Sequence, residues 1–154
     1  MNIRIDMDDH LDEDEIVIRC AALTKEVMDI QRLLLERAAQ SAKMTAFKRD
    51  SEYYLPLSEL LFFETDGQMV YAHTASDAYR VAERLYALEQ SLPGDFLRVS
   101  KSAILNVQQV FSIHRNMASS SLVTFYKSHK QVYVSRRYFK MLRQRLAERR
   151  RTPL

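Results

Sequence analysis

The 154-residue sequence is poor in glycine and cysteine, and these shortages exclude several kinds of site. Its two glycines, Gly67 and Gly94, stand far apart, so neither a P-loop nor a dinucleotide-binding glycine loop is possible. The single cysteine, Cys20, rules out an internal disulfide, fits a reducing compartment and is expected to be a small buried hydrophobe. No apolar run approaches the roughly 18 residues of a membrane span and no signal peptide opens the chain, so we expect a cytoplasmic protein.

Patterns typical of enzymes and metal centres are also missing. The four histidines never pair at metal-ligand spacing, and carboxylates are scarce where basic residues are dense. The acidic stretch 6–15 departs from a calcium-binding loop, because Leu11 stands where that loop needs glycine. We therefore predict no catalytic residue, no cofactor and no bound metal.

Charge is distributed unevenly along the chain. Residues 1–47 contain ten acidic and six basic residues, which gives a net charge of −4. From Phe96 onward, thirteen basic residues face one acidic residue, Glu148, which gives +12. This asymmetry indicates a protein that binds a polyanion. The alternative is a solvated basic tail on an unrelated domain.

The first 44 residues are predicted to form a small ββα module. Residues 2–6 and 15–19 alternate apolar and polar side chains, as short strands do. Thr24 is expected to cap a helix that ends near Gln40. One face of this helix is apolar and either packs on the two strands or forms a homodimer seam; it comprises Val27, Ile30, Leu34 and Ala38. A linker at 41–45 places the domain boundary near Met44.

The rest of the chain, residues 45–148, is predicted to be mostly short strands, followed by a basic tail at 149–154. The dipeptide Asp66-Gly67 indicates a tight hairpin. One helix is expected near 81–92 and a second, basic helix at 138–149. The strands are expected at 46–49, 52–55, 61–65, 69–74, 96–99, 110–114, 122–126 and 131–135.

A series of short motifs in this region resembles the LytTR DNA-binding domain. The resemblance covers residues 46–146, and its landmarks agree in both order and spacing. They are Leu57-Ser58-Glu59-Leu60-Leu61-Phe62-Phe63-Glu64-Thr65-Asp66-Gly67, Ala72-His73-Thr74, the leucines 85, 88 and 92, Phe96-Leu97-Arg98-Val99-Ser100-Lys101-Ser102, Leu105-Asn106 and Val134-Ser135-Arg136-Arg137-Tyr138.

The resemblance implies an elongated, mostly antiparallel β (α+β) fold that binds double-stranded DNA through loops instead of a recognition helix. Such a bacterial transcription regulator reads successive major grooves of promoter direct repeats as two protomers. Many family members carry a phosphoacceptor receiver domain, which 45 residues cannot build. The chain instead resembles short regulators restrained by a companion membrane protein.

The resemblance also assigns candidate DNA-binding residues. Base contacts are expected from Lys101, from Arg136 and from a third position at Gln68 or Met69. Phosphate contacts, which fix register without reading sequence, are expected from Ser102, Arg115 and Arg137. Lys101 is alternatively a solvated strand-end lysine, and Arg136 a partner in a structural salt bridge.

Two other functions remain open from the sequence alone. One is a non-DNA interaction module, whose acidic N-terminal part docks a basic partner and whose tail lies on anionic lipid. The other is RNA binding, which is less favoured because no exposed aromatic pair is evident at stacking spacing.

Overall fold

The computed structural model describes residues 1–12, 14–116 and 120–150, with the side chains of all of these except 39–41 and 150. The chain divides into two compact units, Met1–Glu36 and Arg37–Leu154. In the described part of the chain, no helix is long and apolar enough to cross a membrane.

Among its described residues, the N-terminal unit contains one regular element, helix α1 (Lys25–Ser41), whose last residues belong to the second unit. The predicted cap is confirmed, because the Val27 N–H donates to Thr24 Oγ1 over 3.3 Å.

The two predicted strands, 2–6 and 15–19, are wrong: both segments lie outside helices and strands. Alternating side chains stabilise a strand only when a neighbouring layer covers the apolar face, and here Ile3 and Val17 stay exposed. Cys20 is exposed as well, contrary to expectation.

The second unit is built on a seven-stranded antiparallel sheet, whose spatial order is β2-β1-β5-β4-β3-β7-β6. The 3₁₀ turn Leu57–Glu59 and helix α2 (Leu85–Ser91) connect strands of this sheet, and a second 3₁₀ turn, Val107–Gln109, leads from its last strand to the next sheet. The strands are β1 Lys43–Lys48, β2 Ser51–Pro56, β3 Phe62–Asp66, β4 Met69–His73, β5 Ala78–Val81, β6 Phe96–Arg98 and β7 Ala103–Asn106.

A smaller antiparallel sheet of three strands follows, in the order β10-β9-β8. Its strands are β8 Val110–His114, β9 Ser121–Phe125 and β10 Gln131–Val134. Helix α3 (Arg136–Arg150) comes directly after β10. The expectation of a mostly antiparallel β fold with short helices is therefore confirmed for the described residues.

Two strands were not predicted, β5 and β7, and the linker was misplaced. All four residues of β7 are buried, so the strand lacks the alternation that marks a half-exposed strand. The boundary expected near Met44 falls inside β1, because α1 ends at Ser41 and β1 begins at Lys43. Helix α3 begins two residues earlier than the pattern predicted.

The central strands β3 and β7 are covered on both faces. Phe62 pairs with Leu105, and both pack toward the three-stranded sheet and Leu142 of α3. Phe63 pairs with Ile104, and both pack on the opposite side with Leu88 of α2. Asn106 is the polar exception in β7. It donates from Nδ2 to the Leu60 carbonyl oxygen over 2.9 Å, and its Oδ1 accepts from the Gln108 N–H over 3.0 Å.

A polar cluster joins the loop between β9 and β10 to the loop between β4 and β5. Lys130 donates to His73 Nδ1 over 3.2 Å and to the Asp77 carbonyl oxygen over 2.5 Å. The Asp77 carboxylate is also paired with Lys48. A lysine ammonium can only donate hydrogen bonds, so His73 Nδ1 accepts from Lys130. Nδ1 therefore carries no proton, and the His73 ring is neutral. Burial, followed by the positive charge of Lys130, lowers the pKa of His73 from 6.5 to about 4.

The stability of the fold should therefore depend on pH through His73. In the folded chain the pKa is about 4, below the value of 6.5 expected when unfolded, so the unfolded state binds more protons between these values. The thermal midpoint should fall as pH drops from 6.5 to 4, and His73→Gln should flatten this part of the profile. Thermal unfolding at a series of pH values measures it.

The exposed histidine His129 provides the control for this measurement. His129→Gln should keep the slope of the parent chain. The Lys48 hydrogen bond is the main cause that lowers the pKa of Asp77 from its ordinary value of 3.8. Protonation of Asp77 therefore changes the stability of the fold below pH 3.8, outside the range from 6.5 to 4. An unchanged slope in His73→Gln would contradict the assignment.

Candidate nucleic-acid interface

Two turns meet at one end of the seven-stranded sheet. The Thr65 N–H, in β3, donates to the Ser102 carbonyl oxygen over 2.9 Å, which continues the β3–β7 register past the Glu64–Ala103 pair. Antiparallel pairing therefore places the turn at 99–102 beside the hairpin turn at 66–69. Gln68 and Met69 are both exposed in that hairpin, Met69 being the first residue of β4.

The start of α3 joins the same end of the sheet. The Ser135 N–H donates to the Val99 carbonyl oxygen over 2.8 Å, so the chain enters α3 next to the turn that contains Lys101. Arg136 is the first residue of α3 and not part of a loop, which corrects the expectation that the helix starts at Tyr138. We refer to residues 66–69, 99–102 and 135–137 as the turn cluster.

The local geometry of the 99–102 turn leaves Lys101 at its tip. The Ser102 N–H donates to Ser100 Oγ over 3.1 Å, and the two hydroxyl oxygens, Ser100 Oγ and Ser102 Oγ, lie 3.3 Å apart. The Val99 N–H closes the turn by donating to the Ala103 carbonyl oxygen over 3.0 Å. Lys101 and Ser102 are exposed. The backbone is thus ordered by local hydrogen bonds, while the ammonium group faces solvent.

Two cations of the turn cluster, Lys101 and Arg136, have no acidic partner among the described residues. Throughout residues 1–12, 14–116 and 120–150, no ion pair includes Lys101 or Arg136, and Lys101 accepts a hydrogen bond only at its main-chain carbonyl oxygen. Arg136 therefore does not form the structural salt bridge considered as an alternative, as far as the described residues show. An exposed cation without an acidic partner keeps its full charge for an external anion.

Acidic side chains also lie near the hairpin turn. Glu64 is half-buried in β3, and burial, followed by repulsion from Asp66, raises the pKa of its carboxyl group. Asp66, the last residue of β3, is exposed. The hairpin thus offers one exposed acceptor next to the donor amide of Gln68.

Two further predicted arginines lie against aromatic rings of the first turn of α3; Arg137 belongs to this helix, and Arg115 follows β8. The guanidinium carbon of Arg115 lies 5.3 Å from the centroid of the Phe139 ring, and that of Arg137 lies 5.6 Å from the Tyr138 ring. Both arginines are exposed. Stacking on a ring orients a guanidinium while leaving its N–H edges available for an anion. The structure therefore brings Arg115 and Arg137 to the same helix turn as Arg136.

Arg98 contributes to the site but was not predicted. Its guanidinium donates from Nε to the Ser100 carbonyl oxygen over 2.6 Å and from Nη2 to the Lys101 carbonyl oxygen over 2.5 Å. Its Nη1 donates to Glu89 Oε2 over 2.9 Å, and only 17% of the Arg98 side chain is exposed. The sequence contained one signal for it: Arg98 stands between two apolar residues, Leu97 and Val99. Because side chains alternate along a strand, Arg98 points to the face of β6 opposite to these two.

A comparison with protein families matches residues 50–147 to the LytTr DNA-binding domain. The matched segment runs from the turn between β1 and β2 into α3 and includes every residue of the turn cluster.

Curated relatives and a solved structure agree with this match. Uncharacterized HTH-type transcriptional regulators of Staphylococcus aureus strains NCTC 8325 / PS 47 and COL are each 31% identical over 96 residues, which is 62% of this chain. The match spans 64% of the length of these relatives. The LytTr DNA-binding domain of a putative methyl-accepting/DNA response regulator from Bacillus cereus has a similar fold, with a TM-score of 0.62 and 24% identity. That likeness covers 67% of this chain and 94% of the Bacillus chain.

Proposed function

The chain belongs to the LytTR DNA-binding domain family, and we propose that it is a bacterial transcription regulator that reads promoter DNA with side chains of the turn cluster. Its partner is then double-stranded DNA, and its place of action the cytoplasm, where promoters lie. The observation that carries the proposal is the convergence of Lys101, Arg136 and Gln68 from three separate segments at one end of the sheet.

Each member of the cluster suits a different contact. The planar fork of Arg136 can donate two hydrogen bonds to guanine O6 and N7, whereas the Lys101 ammonium acts as a less directional donor. For the third contact we favour Gln68 over Met69, because its amide both donates and accepts hydrogen bonds. These residues lie on turns and at a helix start, so we propose that side chains of these short segments, two turns and one helix start, read successive major grooves in direct repeats.

Phosphate contacts are assigned to Ser102, Arg115 and Arg137. Arg115 and Arg137 are exposed and oriented by aromatic rings, and Ser102 adjoins Lys101 in its turn. Contacts of this kind hold the register in which base-reading side chains meet the groove. The basic tail expected at 149–154 lies outside the described residues from 151 onward.

Reading direct repeats requires two protomers, and we propose that α1 forms the homodimer contact. Of the predicted apolar face, Val27, Ile30 and Leu34 are half-buried and Ala38 is exposed. Two other apolar side chains, Met28 and Leu35, stay exposed and lie two helical turns apart on one face. An exposed apolar stripe on a helix favours association with a second copy. The companion membrane protein remains a proposal from family resemblance alone.

Alanine substitutions test the base contacts. Lys101→Ala and Arg136→Ala should each weaken binding to a duplex selected by the purified chain by about 1–3 kcal/mol, with a much smaller loss on random DNA. Arg136→Lys should also lose affinity, because a point charge does not replace a bidentate fork. Titrations of both duplexes at one fixed salt concentration measure these effects.

Lys140→Ala serves as the control, since Lys140 is an exposed cation of α3 outside the turn cluster. It should lower affinity for both duplexes alike. Equal losses on selected and random DNA in Lys101→Ala and Arg136→Ala would overturn the base-reading assignment. Retention on anionic vesicles with no preference among duplexes would instead support a membrane-surface interaction module.

The dimer contact is tested in the full chain by sedimentation. The double variant Met28→Lys/Leu35→Lys should shift the dimer to monomer, because two buried ammonium groups are unfavourable at an apolar contact. Leu33→Lys, at an exposed position on a different face of α1, should leave the dimer intact. A monomeric parent chain, or a double variant that still sediments as the parent dimer, would contradict the proposal.

A further inference from the structure

Each of the three side-chain nitrogen atoms of Arg98 donates a hydrogen bond inside the protein. Nε and Nη2 bind the carbonyl oxygens of Ser100 and Lys101, and Nη1 binds the Glu89 carboxylate of α2. With its side chain largely covered, Arg98 offers DNA little surface of its own. Its contacts are instead with the backbone that carries the Lys101 side chain.

Two consecutive carbonyl groups held by one guanidinium fix the backbone of the turn at Ser100 and Lys101. Hydrogen bonds to a charged donor are stronger than neutral ones, and the planar fork of arginine allows little rotation. The Lys101 Cα–Cβ direction is set by this backbone. A lysine side chain is otherwise long and flexible, so a fixed root narrows the region that its ammonium can reach.

Glu89 anchors this arrangement to the rest of the fold. It lies on α2, whose Leu85 and Leu88 are buried in the core, so the carboxylate is held by a rigid element. The pair also compensates the charge of Arg98, which would otherwise be partly buried with only neutral carbonyl partners. Arg98 and Glu89 together connect the hydrophobic core to the Lys101 turn.

We propose that Arg98, anchored by Glu89, is a positioning residue that sets the base preference of Lys101 without contacting DNA. This inference rests on the proposed role of Lys101 in base reading. Two neighbouring cations then have different roles. Lys101 contacts the base, and Arg98 fixes the direction from which the Lys101 side chain approaches it.

The test is a double-mutant cycle on DNA preference in the full chain. Preference is the ratio of affinities for a duplex selected by the parent chain and for random DNA. Arg98→Lys keeps the charge but cannot hold both carbonyl oxygens and Glu89 at once, so preference should fall about tenfold. In a Lys101→Ala background the same substitution should change preference by less than about twofold, because the side chain that Arg98 directs is gone.

A purely structural role predicts a different pattern. If Arg98 only stabilises the fold, Arg98→Lys lowers the thermal midpoint and weakens binding to both duplexes equally, with the same loss in both backgrounds. That outcome would overturn the proposal. If Arg98→Lys does not fold, Glu89→Gln provides the decisive measurement, because it leaves Arg98 and both carbonyl contacts in place but removes the anchor. It should lower preference about threefold in the parent and not in Lys101→Ala.

A matched arginine–glutamate pair supplies the controls. Arg145, on α3, donates to the Gly94 carbonyl oxygen and pairs with Glu148, an arrangement of the same chemistry away from the turn cluster. Arg145→Lys and Glu148→Gln match the two substitutions in charge and should leave preference unchanged. A loss of preference in these controls equal to that in Arg98→Lys and Glu89→Gln would overturn the inference.

The cycle also distinguishes the inference from its premise. If Lys101→Ala leaves preference unchanged, the base-reading role of Lys101 fails, and the positioning role fails with it. If Lys101→Ala lowers preference while Arg98→Lys and Glu89→Gln do not, only the positioning role is overturned.

Discussion

A main-chain hydrogen bond between Ser135 and Val99 determines where the functional surface can form. This 2.8 Å bond joins the end of β10 to the turn after β6, and thereby places α3 beside the larger sheet. The core shared by both sheets holds the bond in place, since Val99 and Val134 are both fully buried. Without this connection, Lys101 and Arg136 would lie on separate supports with no defined spacing between them. The geometry of the proposed DNA-reading surface therefore depends on a main-chain contact that no DNA-binding side chain takes part in.

Arginine performs three different tasks within this small region, and burial decides which. Arg98 is largely covered and satisfies carbonyl oxygens, while Arg136 is exposed and has no acidic partner among the described residues. Arg115 and Arg137 are intermediate in role, because aromatic rings orient them without neutralising them. A count of basic residues treats these positions alike, yet Glu89 compensates the charge of Arg98, whereas the exposed arginines without an acidic partner add their full charge to the field that an approaching polyanion meets.

The parts of the fold that sequence reasoning located are those with strong local signals. The Asp66-Gly67 turn fixed the β3–β4 hairpin, and β8 was placed at its observed bounds. The two N-terminal strands failed because alternation is a weak signal without a covering layer, and β7 was missed because it is buried on both faces. Among the candidate site residues, Lys101 and Arg136 were selected from family motifs, which did not show that they lie at the same end of the sheet. Arg98 could not be assigned, since its main partners are carbonyl oxygens, which every residue possesses.

The order of the strands has a consequence for how the protein is made. β3 pairs with β7 across about forty intervening residues, and the Ser135–Val99 bond closes a loop of similar length, so both contacts are non-local and costly to form early. During synthesis the β3–β4 hairpin can form soon after it leaves the ribosome, whereas Arg136 follows nearly seventy residues later. The two halves of the proposed DNA-reading surface, the Lys101 turn and Arg136, therefore come together late in folding, after the β3–β4 hairpin has formed.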